Sequence, residues 1–160
     1  MLADTSINKR VCEDHAMIRR VFPDSAETTI EQAYDAPLGA PSGRPWVGLC
    51  MVSSIDGSTV VDGRSTELSS ANDLALLLGL RRLADVIIVG AGTVRGEGYG
   101  PPDIAGQRVG VVTASGRVDT SLPLFTSGAG FLITTDNAKV ADNVEHFVTY
   151  KFIRITQTVF

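Results

Sequence analysis

Cysteine and histidine are both scarce in this sequence. Among 160 residues there are two cysteines, Cys12 and Cys50, and two histidines, His15 and His146. Two cysteines cannot build a disulfide framework or a cysteine-based zinc site, and two isolated histidines argue against a histidine-based catalytic triad or metal centre. Low cysteine usage is typical of a protein in a reducing compartment, so we expect no metal and a cytoplasmic location.

Long apolar runs and an excess of positive charge are also missing. No run approaches the ~18 apolar residues of a membrane span, and the N-terminal stretch MLADTSINKRVCEDH lacks the apolar core of a secretory signal. The net charge of -4 and the isoelectric point near 5.1 are unsuited to neutralising the phosphates of DNA or RNA. These absences predict a protein without a membrane or nucleic-acid partner.

Several catalytic motifs are absent as well: the sequence has no G-x-S-x-G elbow, no P-loop and no HExxH. Hydrolysis therefore has little support. With 44% apolar and 20% charged residues, the composition is that of an ordinary folded chain of single-domain length.

The apolar pattern predicts an α/β fold. The run WVGLCMVS over Trp46–Ser53 is typical of a central strand that is covered on both faces, and Val86–Val89 is a second, β-branched strand. Between them lies a predicted helix over 71–83, capped by Ser69 or Ser70. A strand, helix and strand in this order favour parallel pairing through a right-handed crossover, hence a three-layer fold with a mostly parallel central sheet flanked by helices.

The remaining elements are shorter. Residues 1–44 are expected to form a lead-in that holds one short helix over 25–34, capped by Asp24, and residues 45–160 to form the main domain. Further elements are predicted in the order of the chain: strands over Val109–Thr113 and Phe131–Thr135, a helix over Asp136–Ala141, a strand over Phe147–Tyr150 and a sixth strand within 151–160.

Three polar features follow predicted strands, where open α/β sheets bind ligands. Asp56 lies in a Ser/Asp/Gly-rich loop after the first strand; Asp-Gly is usually only a turn former, but a carboxyl group in a pocket can also donate or relay a proton. The turn Gly90–Gly96 can serve packing alone or let backbone N–H groups approach an anion, helped by a helix that begins at Thr93. Its spacing is one residue longer than the Rossmann fingerprint.

Ser115 and Arg117 form the third feature, just past the strand over Val109–Thr113. A solvated turn would have the same composition. A hydroxyl group and an arginine fork are also what binding of the 2′-phosphate of NADP requires.

Taken together, the runs MVSSIDGSTVVDGRS, LRRLADVIIVGAGTVRGEGY and VVTASGRVD closely resemble the RibD C-terminal family, the dihydrofolate-reductase-like reductase domain of riboflavin biosynthesis. The resemblance covers roughly residues 45–135. The resemblance implies a catalytic role for Asp56. It also implies that Ser54, Ser65 and Arg81 contact the substrate, and that NADPH is contacted by Gly90, Gly92, Thr93, Val94, Ser115 and Arg117.

The family reaction uses NADPH to reduce the ribosyl group of a phosphoribosylamino-pyrimidine to ribityl, and the family forms homodimers. The resemblance therefore implies a small pyrimidine substrate; a pterin-like substrate, as in a dihydrofolate reductase, is the alternative. The family pattern continues with a Glu-Gly-Gly-Pro segment, whereas this sequence has no Gly-Gly pair. We therefore expect the C-terminal half of the domain to be missing, which leaves a catalytically silent nucleotide-binding remnant as a further alternative.

Overall fold

The computed structural model of the chain describes residues 17–22, 24–34, 43, 45–62 and 66–149. Its main sheet has four parallel strands in the order β3 (Val86–Gly90), β4 (Arg108–Val112), β5 (Gly130–Thr134) and β6 (His146–Val148). The register sets Val89 beside Val111, Val111 beside Leu132 and Leu132 beside His146. The predicted α/β class, with a parallel sheet and flanking helices, is confirmed.

Between two parallel strands the chain must cross back to the end of the sheet where the strands begin, and short helices provide two of these crossover connections. Helix α3 (Ala91–Glu97) joins β3 to β4, and α4 (Pro123–Thr126) joins β4 to β5. The second helix was not predicted, because four residues starting at a proline carry no readable periodicity. The carboxyl ends of β3 and β4 therefore lie side by side at one edge of the sheet.

The hydrophobic core lies between one face of the sheet and these two helices. Val109, Val111 and Leu132 from the strands are at most 1% exposed, and Val94 and Leu124 meet them from α3 and α4. The opposite face carries Gly110, where a Cβ would lie 2.8 Å from both the Ile88 and Phe131 side chains. Neighbouring side chains thus cover the space that a side chain at position 110 would need.

Helix α2 (Ala71–Arg82) matches its prediction closely. Ser70 is the N-cap, and its hydroxyl oxygen accepts a hydrogen bond of 3.2 Å from the backbone N–H of Asp73. Such a cap satisfies one of the free N–H groups of the first turn. At the other end, the Gln107 side-chain amide donates to the carbonyl oxygens of Arg81 and Ala84, each at 2.6 Å, so the helix end is tied to the start of β4.

The lead-in differs from its prediction. Met17–Arg20 (β1) and Ala26–Thr29 (β2) form an antiparallel pair, and helix α1 covers only Ile30–Tyr34. The helix predicted over 25–34 therefore begins five residues late, and Thr29 rather than Asp24 caps it, accepting at 3.1 Å from the N–H of Gln32. Asp24 instead pairs with Arg20 across the turn. Strand pairing determined the conformation of 26–29, which local sequence signals could not indicate.

The predicted central strand over Trp46–Ser53 is wrong, and so is its parallel pairing with Val86–Val89. Residues 45–54 form no helix or strand, and their apolar side chains are exposed: Val47 is 81% exposed and Leu49 85% exposed. The Trp46 ring folds back against Gly48, where an added Cβ would lie 2.9 Å from it. An apolar run favours strand dihedrals, but only a neighbouring strand can supply the hydrogen bonds that make it part of a sheet.

Smaller differences occur around the sheet. Helix α3 begins at Ala91, with Gly90 as N-cap, and not at Thr93. The helix predicted over Asp136–Ala141 is absent: turns connect β5 to β6 there. The sixth strand predicted within 151–160 lies outside the described residues. In the part of the chain that the structure describes, no helix is long and apolar enough to cross a membrane.

Candidate functional site

Two of the three polar features meet at the carboxyl edge of the sheet. Gly90 ends β3 and pairs in register with Val112, the last residue of β4. The glycine turn that follows β3 and the Ser115–Arg117 turn that follows β4 are therefore neighbours. Parallel sheets commonly bind ligands at this edge, where adjacent connections turn away from the strands.

The glycine turn leaves open space above its backbone. A Cβ placed on Gly90 or Gly92 would meet no atom of the described residues within 4 Å, and neither residue has a positive φ. Backbone strain and packing against the described residues thus do not require glycine at these two positions. Thr93 is exposed beside them, whereas Val94 is 1% exposed and belongs to the core. A ligand at this turn can reach the Thr93 side chain, but only the backbone of Val94.

The Ser115–Arg117 turn is fixed by several local contacts. The Ser115 hydroxyl accepts from the Arg117 N–H at 3.3 Å, and the Ser115 carbonyl accepts from the Lys139 N–H at 3.2 Å. Gly116 has a φ of +72°, and a Cβ there would lie 2.5 Å from the Lys139 carbonyl oxygen, so this position does require glycine. These contacts hold the backbone that presents the exposed side chains of Ser115 and Arg117.

Arg95, in the last turn of α3, also belongs to this edge. Its Nη1 donates to the carbonyl oxygen of Arg117 at 3.4 Å, so its guanidinium lies against the Ser115–Arg117 turn. Arg95 carries no periodic or motif signal in the sequence that would link it to Arg117, 22 residues further on. The only hint was its presence inside the glycine-rich stretch.

Ser54 and Asp56 form a tight hydrogen-bonded turn. The Ser54 hydroxyl donates to the Asp56 carboxylate and lies 3.1 Å from the Ser58 carbonyl oxygen, while the Ser58 N–H points at the same carboxylate. Gly57 completes the turn with a φ of +84°. The Asp-Gly pair is a turn former, as its composition indicated, and the Asp56 side chain is exposed.

These hydrogen bonds affect the ionisation of Asp56. The Ser54 hydroxyl, followed by the Ser58 N–H, lowers the pKa of the Asp56 carboxyl group below its ordinary value, because both donors favour the charged form. Asp56 is therefore a carboxylate at neutral pH. In this state it accepts hydrogen bonds, and it has to take up a proton before it can donate one.

We expect Ser54→Ala to raise the pKa of Asp56 towards its ordinary value, since the strongest donor to the carboxylate is lost. Titration of the Asp56 carboxyl carbon by NMR measures this. Ser121→Ala is a matched control, because Ser121 lowers the pKa of Asp119 in the same way. The control should raise the midpoint of Asp119 and leave Asp56 unchanged; an Asp56 midpoint that stays fixed in Ser54→Ala would contradict the assignment.

Arg81 lies at the opposite end of the sheet, where the strands begin. Its backbone is bonded by Gln107, which immediately precedes β4, so it sits near the strands' amino ends. The guanidinium is half-buried, 5.1 Å from the centre of the Tyr99 ring, and this burial lowers its pKa. Arginine remains charged at neutral pH despite such a shift.

The structure thus joins some of the predicted site residues and separates others. Gly90, Gly92, Thr93, Ser115 and Arg117 share one edge, and Arg81 belongs to the opposite one. Ser54 and Asp56 occupy a turn outside the sheet, and Ser65 lies outside the described residues. Within the described ranges, no three histidine, cysteine or acidic side chains cluster in a way that could hold a metal ion.

Comparison with known proteins identifies one family. The family model described as the RibD C-terminal domain matches residues 45–159, which include every predicted site residue. The match confirms the resemblance inferred from the sequence runs. No curated protein matches the chain.

Proposed function

The chain belongs to the RibD C-terminal domain family, and we propose that it is an NADPH-dependent reductase of the riboflavin-biosynthesis type. The family is reductase-like and dihydrofolate-reductase-like in fold, which supports oxidoreductase chemistry on a small molecule. The proposed substrate is 5-amino-6-(5-phosphoribosylamino)uracil, whose ribosyl group is reduced to ribityl.

One observation carries the cofactor proposal: an open glycine turn and an arginine-bearing turn lie side by side at the carboxyl edge of the sheet. Gly90 and Gly92 leave room for the pyrophosphate of a dinucleotide against the backbone. Ser115 and Arg117 provide a hydroxyl and a charged fork for the 2′-phosphate. The residues present therefore fit NADPH, which supplies a hydride when bound.

The substrate side of the proposal rests on Ser54, Asp56, Ser65 and Arg81. Reduction adds one hydride and one proton, and the proton must pass through a group near the substrate. The Asp56 carboxylate is exposed and hydrogen-bonded to the Ser54 hydroxyl, so in the proposed relay Asp56 takes up a proton from solvent and passes it on to the substrate. The Arg81 guanidinium, over the Tyr99 ring, would provide a positive charge for the substrate phosphate, on the side of the substrate that faces away from the two cofactor turns.

The direct test combines binding and turnover. NADPH fluorescence is followed while folded protein is titrated, and dihydronicotinamide absorbance is then followed with the uracil substrate or with dihydrofolate. Binding with turnover of the uracil compound supports the proposal. Turnover of dihydrofolate alone would favour the pterin reductase instead, and a flat titration would reject both.

A second candidate is a catalytically silent nucleotide-binding module. The observation that favours it is the exposure of the Asp56 turn and of the segment before it, where Met51 is 66% exposed and Ile55 fully exposed. A substrate pocket would bury such residues. NADPH binding without turnover of either substrate would support this candidate.

Arg117→Ala should narrow the preference for NADPH over NADH by about 1 to 3 kcal/mol, the scale of a lost charge-assisted contact. The physical reason is that only NADPH carries the additional phosphate. Dissociation constants for both nucleotides measure the preference. Arg20→Ala is the charge-matched control, because the exposed pair of Arg20 with Asp24 lies in the β1–β2 hairpin; an unchanged preference in Arg117→Ala would reject the 2′-phosphate role.

A further inference from the structure

Arg95 brings a second positive charge to the turn that carries Arg117. The guanidinium crosses from the last turn of α3 and donates one hydrogen bond, of 3.4 Å, to the Arg117 carbonyl oxygen. Most of its N–H donors remain available for another acceptor. Because the side chain is exposed, these donors face solvent at the same edge as the Ser115 hydroxyl.

The ion pairs among the described residues do not include Arg95. In the part of the chain that the structure describes, neither Arg95 nor Arg117 forms an ion pair. Three other arginines do so, each with its own partner: Arg20 with Asp24, Arg82 with Glu31 and Arg108 with Glu145. Two arginines at one turn that form no ion pair with a described residue favour a ligand that carries more than one negative charge.

The backbone around the turn is suited to such a ligand. Gly116 is packed against the Lys139 backbone, and the Ser115 hydroxyl is oriented by the Arg117 N–H. Arg95 also links this turn to the glycine turn, since α3 begins at Ala91 directly after Gly90. The helix that starts at the glycine turn thus carries the side chain that contacts the Ser115–Arg117 turn.

We propose that Arg95 is a specificity-determining residue that binds the 2′-phosphate of NADPH together with Ser115 and Arg117. This inference rests on the proposed function. A phosphomonoester dianion is large enough to accept hydrogen bonds from two guanidinium groups and a hydroxyl at once. NADH has no group at this position, so Arg95 contributes to discrimination between the cofactors and not to dinucleotide binding in general.

The test measures the affinities of four nucleotides for wild type and for Arg95→Gln: NADPH, NADH, 2′,5′-ADP and 5′-AMP. We expect NADPH and 2′,5′-ADP to bind about tenfold more weakly to the variant, while NADH and 5′-AMP change by less than about twofold. Arg95→Lys, which keeps the charge but loses the planar fork, should retain part of the affinity. Glutamine and lysine are both good helix formers, so α3 is preserved.

Arg20→Gln is the matched control, because it removes the same charge from an exposed ion pair in the β1–β2 hairpin and should leave all four affinities unchanged. Equal weakening of NADPH and NADH in Arg95→Gln would show that Arg95 only supports the fold of the turn and would overturn the inference. An unchanged NADPH affinity would also overturn it. Wild-type protein that binds NADPH no better than NADH would instead reject the proposed 2′-phosphate site, and Arg95 with it.

Discussion

Asp56→Asn is expected to lower kcat about 10²- to 10⁴-fold while NADPH affinity stays within about twofold of wild type. An amide has nearly the same shape as the carboxylate and still accepts a hydrogen bond from Ser54, so the turn at Gly57 is kept. It cannot carry the negative charge or take up a proton. The glycine and arginine turns that follow β3 and β4 do not include Asp56, which is why cofactor binding should survive.

Asp62→Asn is the natural control for this experiment. Asp62 belongs to the second Asp-Gly pair of the same loop and has a φ of +49°, a left-handed conformation that asparagine also adopts. Its substitution should leave kcat unchanged. Full turnover in Asp56→Asn would contradict the catalytic assignment. An equal loss of kcat in Asp62→Asn would show that the effect comes from the conformation of the loop.

Leu132→Ala is expected to lower the free energy of unfolding by about 2 to 5 kcal/mol. Leu132 is 0% exposed in β5, between Val111 of β4 and His146 of β6, and its removal leaves a cavity that the paired strands cannot close. Single domains have a total stability of about 5 to 15 kcal/mol, so this loss is a large fraction. Urea unfolding should show a lower midpoint with an unchanged slope.

Leu83→Ala makes the same chemical change at an exposed position. Leu83 caps the end of α2 and is 40% exposed, so its truncation should cost less than about 1 kcal/mol. If the two variants were equally destabilised, the assignment of Leu132 to the core would fail. β4 and β5 also support the Ser115–Arg117 turn. We therefore expect nucleotide binding by Leu132→Ala to fall together with the folded fraction of the variant.

The sequence predicted the elements that carry strong local signals. Strands β3 and β4 are rich in β-branched residues and β5 holds an apolar run, while α2 has a Ser70 cap with Asp73 in its first turn and arginines in its last. In each case local propensity and burial agree, so one window of sequence is sufficient. The glycine turn and the Ser115–Arg117 turn could be placed for the same reason, since each follows one of these strands.

Other predictions failed where distant contacts decide the conformation. The run at Trp46–Ser53 is as apolar as β3, yet no strand in the described part of the chain pairs with it. Residues 26–29 extend because β1 pairs with them, although their sequence allowed a helix. A strand needs hydrogen bonds from another segment, and a sequence window does not contain its partner. The division into a lead-in over 1–44 and a domain from 45 onwards stays a prediction.

The sequence by itself determined the α/β class, the family and the chemical types at the cofactor turns, because these depend on residue identity and short-range order. Tertiary structure alone decided which of these residues meet. It set the two turns side by side through parallel pairing of β3 with β4, placed Arg81 at the opposite edge, turned Val94 into the core and brought Arg95 against Arg117. Strand register and helix direction fix such distances, and neither is encoded within a single local stretch of the chain.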